Sequence, residues 1–168
     1  MPLSNDKIYL VGFMTAGKTT VARLLAGRLG WRAEDVDVLI EARERMTVAD
    51  IFARHGEPYF RAAERDILRL VLPLRRAVVA TGGGTFMDPE SQHAINLDGV
   101  SIWLDVPLET VIARLPVDRR RPLAADRAQM ERLFAMRQVG YALAHHRVDA
   151  TRPAEEIAER ILDTLELD

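Results

Sequence analysis

The segment Gly12-Phe13-Met14-Thr15-Ala16-Gly17-Lys18-Thr19 has the residue types and spacing of a loop that cradles phosphate. Backbone N–H groups in such a loop can surround phosphate oxygens, Lys18 can neutralise charge on the outer phosphates, and Thr19 can offer its hydroxyl to Mg²⁺. The setting agrees, because the apolar run Ile8-Tyr9-Leu10-Val11 precedes the loop and the helical pattern Val21-Ala22-Arg23-Leu24-Leu25 follows it. Strand, loop and helix in that order predict ATP with Mg²⁺ as the ligand. Gly12, Thr15, Ala16, Gly17, Lys18, Thr19 and Thr20 are the expected nucleotide contacts.

Other groups have chemistry to offer. Asp35-Val36-Asp37 places two carboxylates two residues apart where a candidate strand ends, so extended backbone would point them the same way. One could hold the magnesium shell while the other approaches a substrate hydroxyl, a division that phosphoryl transfer needs. In Thr81-Gly82-Gly83-Gly84-Thr85, bare backbone can approach a small ligand closely. Arg61 and Glu64 share a helical face, where Glu64 can orient a guanidinium that grips a carboxylate through two hydrogen bonds. Arg119-Arg120-Arg121 sits within Pro116–Asp126, a stretch without apolar period between two good helices, and reads as a lid whose arginines cover the γ-phosphate. His55, His93, His145 and His146 have no metal-ligand spacing and are assigned to packing, capping or surface.

Positioning these groups requires an alternating fold. Strand-like runs recur at Ile8–Val11, Ala77–Ala80 and Ser101–Val106, with weaker ones around Ala33–Val36 and Arg147–Val148, where Glu34 suits an edge strand. Helices are expected to begin near Lys18, Thr47, Pro58, Pro107, Arg127 and Pro153. Such alternation predicts an α/β architecture, a parallel sheet covered by helices, with ligands beyond the carboxyl ends of its strands. The phosphate loop, Asp35/Asp37 and the triple glycine each follow a strand and therefore converge on one edge.

Composition sets the outer limits. A chain of 168 residues predicts one domain, residues 1–168, with a core large enough to need no metal or disulfide support. The formal charge of −2 gives no sign of nucleic-acid binding, and the absence of cysteine excludes disulfides, thiolate chemistry and cysteine-bound zinc. No stretch approaches the roughly 20 apolar residues of a membrane span. The expectation is a cytoplasmic protein, a monomer, with no membrane or nucleic-acid partner.

The ordered motifs resemble those of the shikimate kinase family along nearly the whole chain. They are Gly-Phe-Met-x-x-Gly-Lys-Thr-Thr at Gly12–Thr20, Leu-Gly-Trp at Leu29–Trp31, Asp-x-Asp at Asp35–Asp37 and Ile-Phe-Ala-x-x-Gly-Glu-x-x-Phe-Arg at Ile51–Arg61. Ala-Thr-Gly-Gly-Gly at Ala80–Gly84, Trp-Leu-Asp-Val-Pro at Trp103–Pro107 and Arg-Pro-Leu at Arg121–Leu123 complete the set. The resemblance implies a P-loop kinase fold, a five-stranded parallel sheet of order 2-3-1-4-5 with a mobile lid over residues 116–126. It also implies ATP-dependent phosphorylation of shikimate at its 3-hydroxyl, in aromatic amino-acid biosynthesis.

By matching positions, Asp37 would meet the reacting hydroxyl, Asp35 with Thr19 would support Mg²⁺, and Arg61 and Arg137 would hold the shikimate carboxylate. Gly83 and Gly84 would contact substrate, Phe52 and Phe60 would line its apolar side, and Arg121 with Lys18 would act on the transferring phosphate. Arg114, Arg152 and Pro153 resemble the positions that flank adenine. Two departures from the family pattern stand out: Thr15-Ala16, where a glycine and a small residue are usual, and Gln138-Val139-Gly140-Tyr141, where Pro-Leu-Tyr usually follows the arginine. Two other readings stay open, a kinase of another polyhydroxy acid such as gluconate and a catalytically silent nucleotide-binding regulator.

Overall fold

The computed structural model describes residues 6–116 and 124–167. In chain order its elements are β1 (Lys7–Val11), α1 (Lys18–Leu29), β2 (Arg32–Asp35), α2 (Val36–Glu44), α3 (Val48–Val71) and β3 (Ala77–Ala80). A 3₁₀ turn (Thr85–Met87) leads to α4 (Pro89–Asp98), β4 (Val100–Asp105), α5 (Leu108–Arg114), α6 (Ala124–Tyr141), β5 (His146–Asp149) and α7 (Ala154–Leu165). The strands form one parallel sheet in the order β2-β3-β1-β4-β5, the topology expected from the sequence.

Position in the sheet explains which strands were easy to read. Every residue of β1 and β3 is buried, and β4 is buried up to Asp105, so these three central strands are near-continuous apolar runs. The edge strand β2 buries no residue, and β5 buries only Val148. One side of each edge strand faces away from the sheet, so polar residues are tolerated there.

Register brings the functional loops together. Leu10 of β1 lies opposite Ala80 of β3 and Ile102 of β4, and Ala80 in turn lies opposite Asp35 of β2. The carboxyl ends of β2, β3 and β1 are therefore nearly level, with β4 running on to Asp105, and the loops leaving them share one rim.

The helices depart from the sequence expectation in places. α3 spans both expected starts, Thr47 and Pro58, and bends at Gly56, where φ is 81° and the backbone is not helical. Thr47 caps it by accepting the Asp50 N–H. α6 starts at Ala124 rather than near Arg127. α2 and α4 were not anticipated; only Val36 and Ile40 of the first and Ser91 and Ile95 of the second are buried, too few to make an apolar period visible. Both are started by an aspartate cap, Asp35 accepting from the Val38 N–H and Asp88 from the Ser91 N–H. Among the described residues no helix is long and apolar enough to cross a membrane.

The opposite end of the sheet holds a buried cation. Lys7, fully buried at the start of β1, donates from Nζ to the carbonyls of Val71 (2.6 Å), Leu72 (3.3 Å) and Leu74 (2.6 Å). It adds a charged donor to the carbonyls at the end of α3, where the helix dipole favours positive charge; Val71 O also accepts the Leu74 N–H and Leu72 O also accepts Arg75 Nη2. Asp98, 3.3 Å from Nζ, accepts from Tyr9 Oη and from Arg75. Lys7→Met is expected to remove three hydrogen bonds from the end of α3 together with the ion pair to Asp98, and to lower stability by about 2–4 kcal/mol. Denaturant unfolding checks this, and an unchanged midpoint would show the contacts to be dispensable.

Candidate active site

The phosphate loop joins β1 to α1 with backbone conformations of limited choice. Gly17 caps α1 in the left-handed region (φ 96°), and Thr15 also has positive φ, 61°. For threonine this costs on the order of 1–3 kcal/mol. Neighbours hold it there: Thr15 Oγ1 donates to the Val111 carbonyl of α5 (3.3 Å), and Arg114 Nη1 donates to the Thr15 carbonyl (3.0 Å). Arg114 Nη2 reaches the Ala150 carbonyl (2.9 Å), so this side chain joins the loop to the segment after β5.

Residues 14–20 line a cavity of about 420 Å³ together with Asp35, Asp37, Val38, Thr81 and Gly83. Lys18, at the head of α1, donates from Nζ to the Gly12 carbonyl (2.6 Å) and the Phe13 carbonyl (3.1 Å). Burial pushes its ammonium down to about 8, partly offset by the attraction of Asp37. Thr19 Oγ1 donates to Asp35 Oδ2 at 2.5 Å, while Thr20 is exposed on the rim.

The two aspartates separate because the strand ends between them. Asp35 ends β2 and caps α2, whereas Asp37 lies in the first turn of α2. Asp37 Oδ1 is buried with no hydrogen-bond partner among the described residues. It faces the backbone of Gly82, where an added Cβ would lie 2.8 Å from it. Burial pushes the Asp37 carboxyl up to about 6, with Asp35 and Glu64 adding to the shift and Lys18 opposing it.

Two arginines close the far side on the bare backbone of the glycine loop. A Cβ at Gly83 would stand 2.8 Å from Arg137 Nη1, and one at Gly84 would stand 2.7 Å from Arg61 Nη1. A side chain at either position would displace the guanidinium from the glycine loop. Arg61 Nη1 donates to Glu64 Oε1 (2.9 Å), and Glu64 is only 3% exposed, so the guanidinium is aimed by a buried charge. Arg137 lies over the Phe13 ring at 5.5 Å, and Phe134 of the same helix meets Phe13 edge-on at 5.3 Å. Phe60 is buried and pairs at 4.7 Å with the ring of Phe52, which is 38% exposed.

The departure after Arg137 has a steric explanation. Gly140 admits Met87, whose sulfur would stand 2.7 Å from a Cβ there, and Tyr141 Oη donates to the Gly83 carbonyl at 2.6 Å. α6 is thereby docked on the glycine loop at the depth that delivers Arg137. The anchoring roles of Tyr141, Met87 and Phe13 were not read from the sequence; a tyrosine at the end of a helix reads as core until its distant partner is known.

The remaining expected positions are less engaged. Arg152 is exposed and pairs with Glu156 (3.2 Å), and Pro153 precedes α7 as its cap. Arg121 and the rest of residues 117–123, most of the lid expected over residues 116–126, lie outside the described residues. The histidines fit their expected places: His145 Nδ1 accepts the Ser101 N–H (3.0 Å), and His55 stacks on Tyr59.

Thr19 and Asp35 are hard oxygen donors beside the phosphate loop, a pair that fits Mg²⁺ held jointly with nucleotide phosphates. Among the described residues no cluster of three or more His, Cys, Asp or Glu could form an all-protein metal cage, in keeping with a shared site. The arrangement suits a ligand with a carboxylate at the arginine end and a hydroxyl at the Asp37 end, beside a bound polyphosphate.

Comparison with known proteins shows what the chain is similar to as a whole. Residues 14–166 match the family model described as shikimate kinase. The chain is 42% identical to the shikimate kinase of Geobacter metallireducens over 98% of this chain and 94% of that protein. It is 44% identical to that of Persephonella marina over 84% and 87%. Its fold is similar to the solved structure of shikimate kinase from Acinetobacter baumannii in complex with shikimate, with TM-score 0.89, 32% identity and coverage of 97% and 94%.

Asp37 gives a pH prediction. Its folded pKa near 6 lies above the ordinary carboxyl value of 3.8, so the stability it contributes is full below about pH 3.8 and lost as pH rises through 6. Asp37→Asn removes that loss. The variant is expected to melt a few degrees above the parent at about pH 7.5, the gap closing as pH falls toward 4, while turnover drops by roughly 10²-fold. Thermal unfolding across pH checks it, and a gap independent of pH would show that the carboxyl is not the source.

Proposed function

The chain belongs to the shikimate kinase family, and we propose that Lys18, Asp37 and Arg121 carry its chemistry, with Arg61 and Arg137 as the clamp on the substrate carboxylate. The enzyme transfers the γ-phosphoryl group of ATP to the 3-hydroxyl of shikimate, giving shikimate 3-phosphate and ADP, in aromatic amino-acid biosynthesis.

The substrate hydroxyl attacks phosphorus as the bond from the γ-phosphorus to the bridging oxygen of ADP breaks, and the hydroxyl proton leaves toward Asp37. Its unpartnered, buried Oδ1 is the observation that carries this assignment, since an orphaned carboxylate oxygen is costly unless a ligand donates to it. With a pKa near 6, Asp37 is ionised at neutral pH and can orient or accept that proton. Lys18 exchanges its loop carbonyls for phosphate oxygens. Thr19 and Asp35 would hold Mg²⁺ together with the phosphates, and the ion would supply charge neutralisation there. Arg121, on a lid over residues 116–126, adds positive charge as water is excluded.

Gly83 and Gly84 offer backbone to the substrate, with Phe52 and Phe60 on its apolar side. Residues Gly12, Thr15, Ala16, Gly17 and Thr20 surround the phosphates, and Arg114, Arg152 and Pro153 flank the adenine. Residues 1–168 act as one domain, a cytoplasmic monomer whose partners are ATP and shikimate, without nucleic acid or membrane. The formal charge of −2 supports the absence of a polyanion partner.

ADP release that depends on shikimate, measured by a coupled assay, tests the reaction; gluconate and quinate should give little turnover. Folded Lys18→Ala is expected to lose at least about 10²-fold in turnover because charge stabilisation vanishes from the transition state. Near-normal turnover would defeat its assignment.

Arg61→Lys and Arg137→Lys keep the charge but lose the planar fork, so shikimate KM should rise about tenfold or more with ATP KM little changed. Steady-state kinetics in both substrates decides. Equal losses toward ATP would make the clamp assignment wrong.

A further inference from the structure

We propose that Thr85 is a positioning residue for the substrate carboxylate: its hydroxyl ties the glycine loop to Glu64 and so fixes the direction in which Arg61 presents its guanidinium. The proposal rests on Arg61 as the carboxylate clamp.

Thr85 opens the 3₁₀ turn after the glycine loop and is fully buried. Its Oγ1 accepts the Gly82 N–H at 3.0 Å and donates to Glu64 Oε2 at 2.9 Å, so a single hydroxyl is used in both directions. Glu64, also buried, spends its other oxygen on Arg61 Nη1 at 2.9 Å. The chain Gly82, Thr85, Glu64, Arg61 therefore runs from loop backbone to guanidinium through three hydrogen bonds, and Arg61 rests on Gly84 two residues after Gly82.

The geometry has a chemical reason. A buried carboxylate with one oxygen unpaired would turn or draw a proton, and either change loosens a bidentate grip that tolerates little angular error. Glu57 is the other acid on Arg61, but it is an exposed partner at 3.4 Å and cannot aim it. Asp37 Oδ1 and Glu64 Oε2 both face Gly82, within 2.8 Å and 3.2 Å of where its Cβ would be. The Thr85 hydrogen bond holds Glu64 to Arg61 and leaves Asp37 Oδ1 free for the substrate hydroxyl. Serine can do the same; alanine and valine cannot.

The test is steady-state kinetics of Thr85→Ala, Thr85→Val and Thr85→Ser, with Arg61→Lys alongside and folding checked by thermal unfolding. Alanine and valine are expected to raise shikimate KM by roughly five- to twentyfold, with kcat within about threefold of the parent and ATP KM unchanged, and serine to restore KM. Adding Thr85→Ala to Glu64→Gln should raise KM by less than twofold further, because both break one relay. Shikimate KM unchanged in folded Thr85→Ala, or equal losses for ATP and shikimate without rescue by serine, overturns the relay. If Arg61→Lys raises shikimate KM while the Thr85 variants do not, the clamp stands and the relay falls. If Arg61→Lys itself leaves KM unchanged, both fall.

Discussion

Burial of β3, β1 and β4 on both faces is the constraint from which the site follows. A parallel strand cannot return through a tight turn, so each connection must climb over a face of the sheet as a crossover. Every loop that leaves a carboxyl end then opens on the same rim. The level register of Asp35, Ala80, Leu10 and Ile102 sets four such loops side by side. Nucleotide loop, carboxylates and glycine loop meet without any of them being near another in sequence.

Within that rim, charge is placed at a cost to the fold. Asp37 has a buried oxygen without a partner and a carboxyl pushed up to about 6, and Lys18 is pushed down to about 8. Both shifts come first from burial, and the attraction between the two groups offsets part of each. Such groups are poor for stability and suited to a ligand that brings a hydroxyl to one and phosphate to the other. Lys7 is the contrasting case. It is more completely buried, yet three carbonyls and Asp98 surround it, and its role is to close the end of α3.

The two departures from the family motifs are absorbed by neighbours. Thr15 takes a left-handed conformation because α5 supplies an acceptor for its hydroxyl and Arg114 fixes its carbonyl. Gly140 makes room for Met87, and Tyr141 completes the docking of α6. In each case one residue changes the local requirement and a side chain from another element meets it. Arg137 keeps its place against Gly83 as a result.

Sequence alone determined the parts in which local rules are strict. The phosphate loop, the three central strands, the polar edge at Glu34 and the Arg61–Glu64 pair were legible because motif spacing and apolar periodicity act over a few residues. The sheet order came from resemblance, not from periodicity. α2 and α4 stayed hidden because they bury only two residues each, and their aspartate caps give too short a signal. Tertiary structure alone decided that two guanidinium groups, arriving from α6 and α3, lie against the bare backbone of Gly83 and Gly84. It also decided the links from Thr85 to Glu64 and from Tyr141 to Gly83, which join residues 21 and 58 positions apart. Hydrogen bonds and steric contacts act through a few ångströms of space, and no spacing along the chain records which distant side chain the fold will bring there.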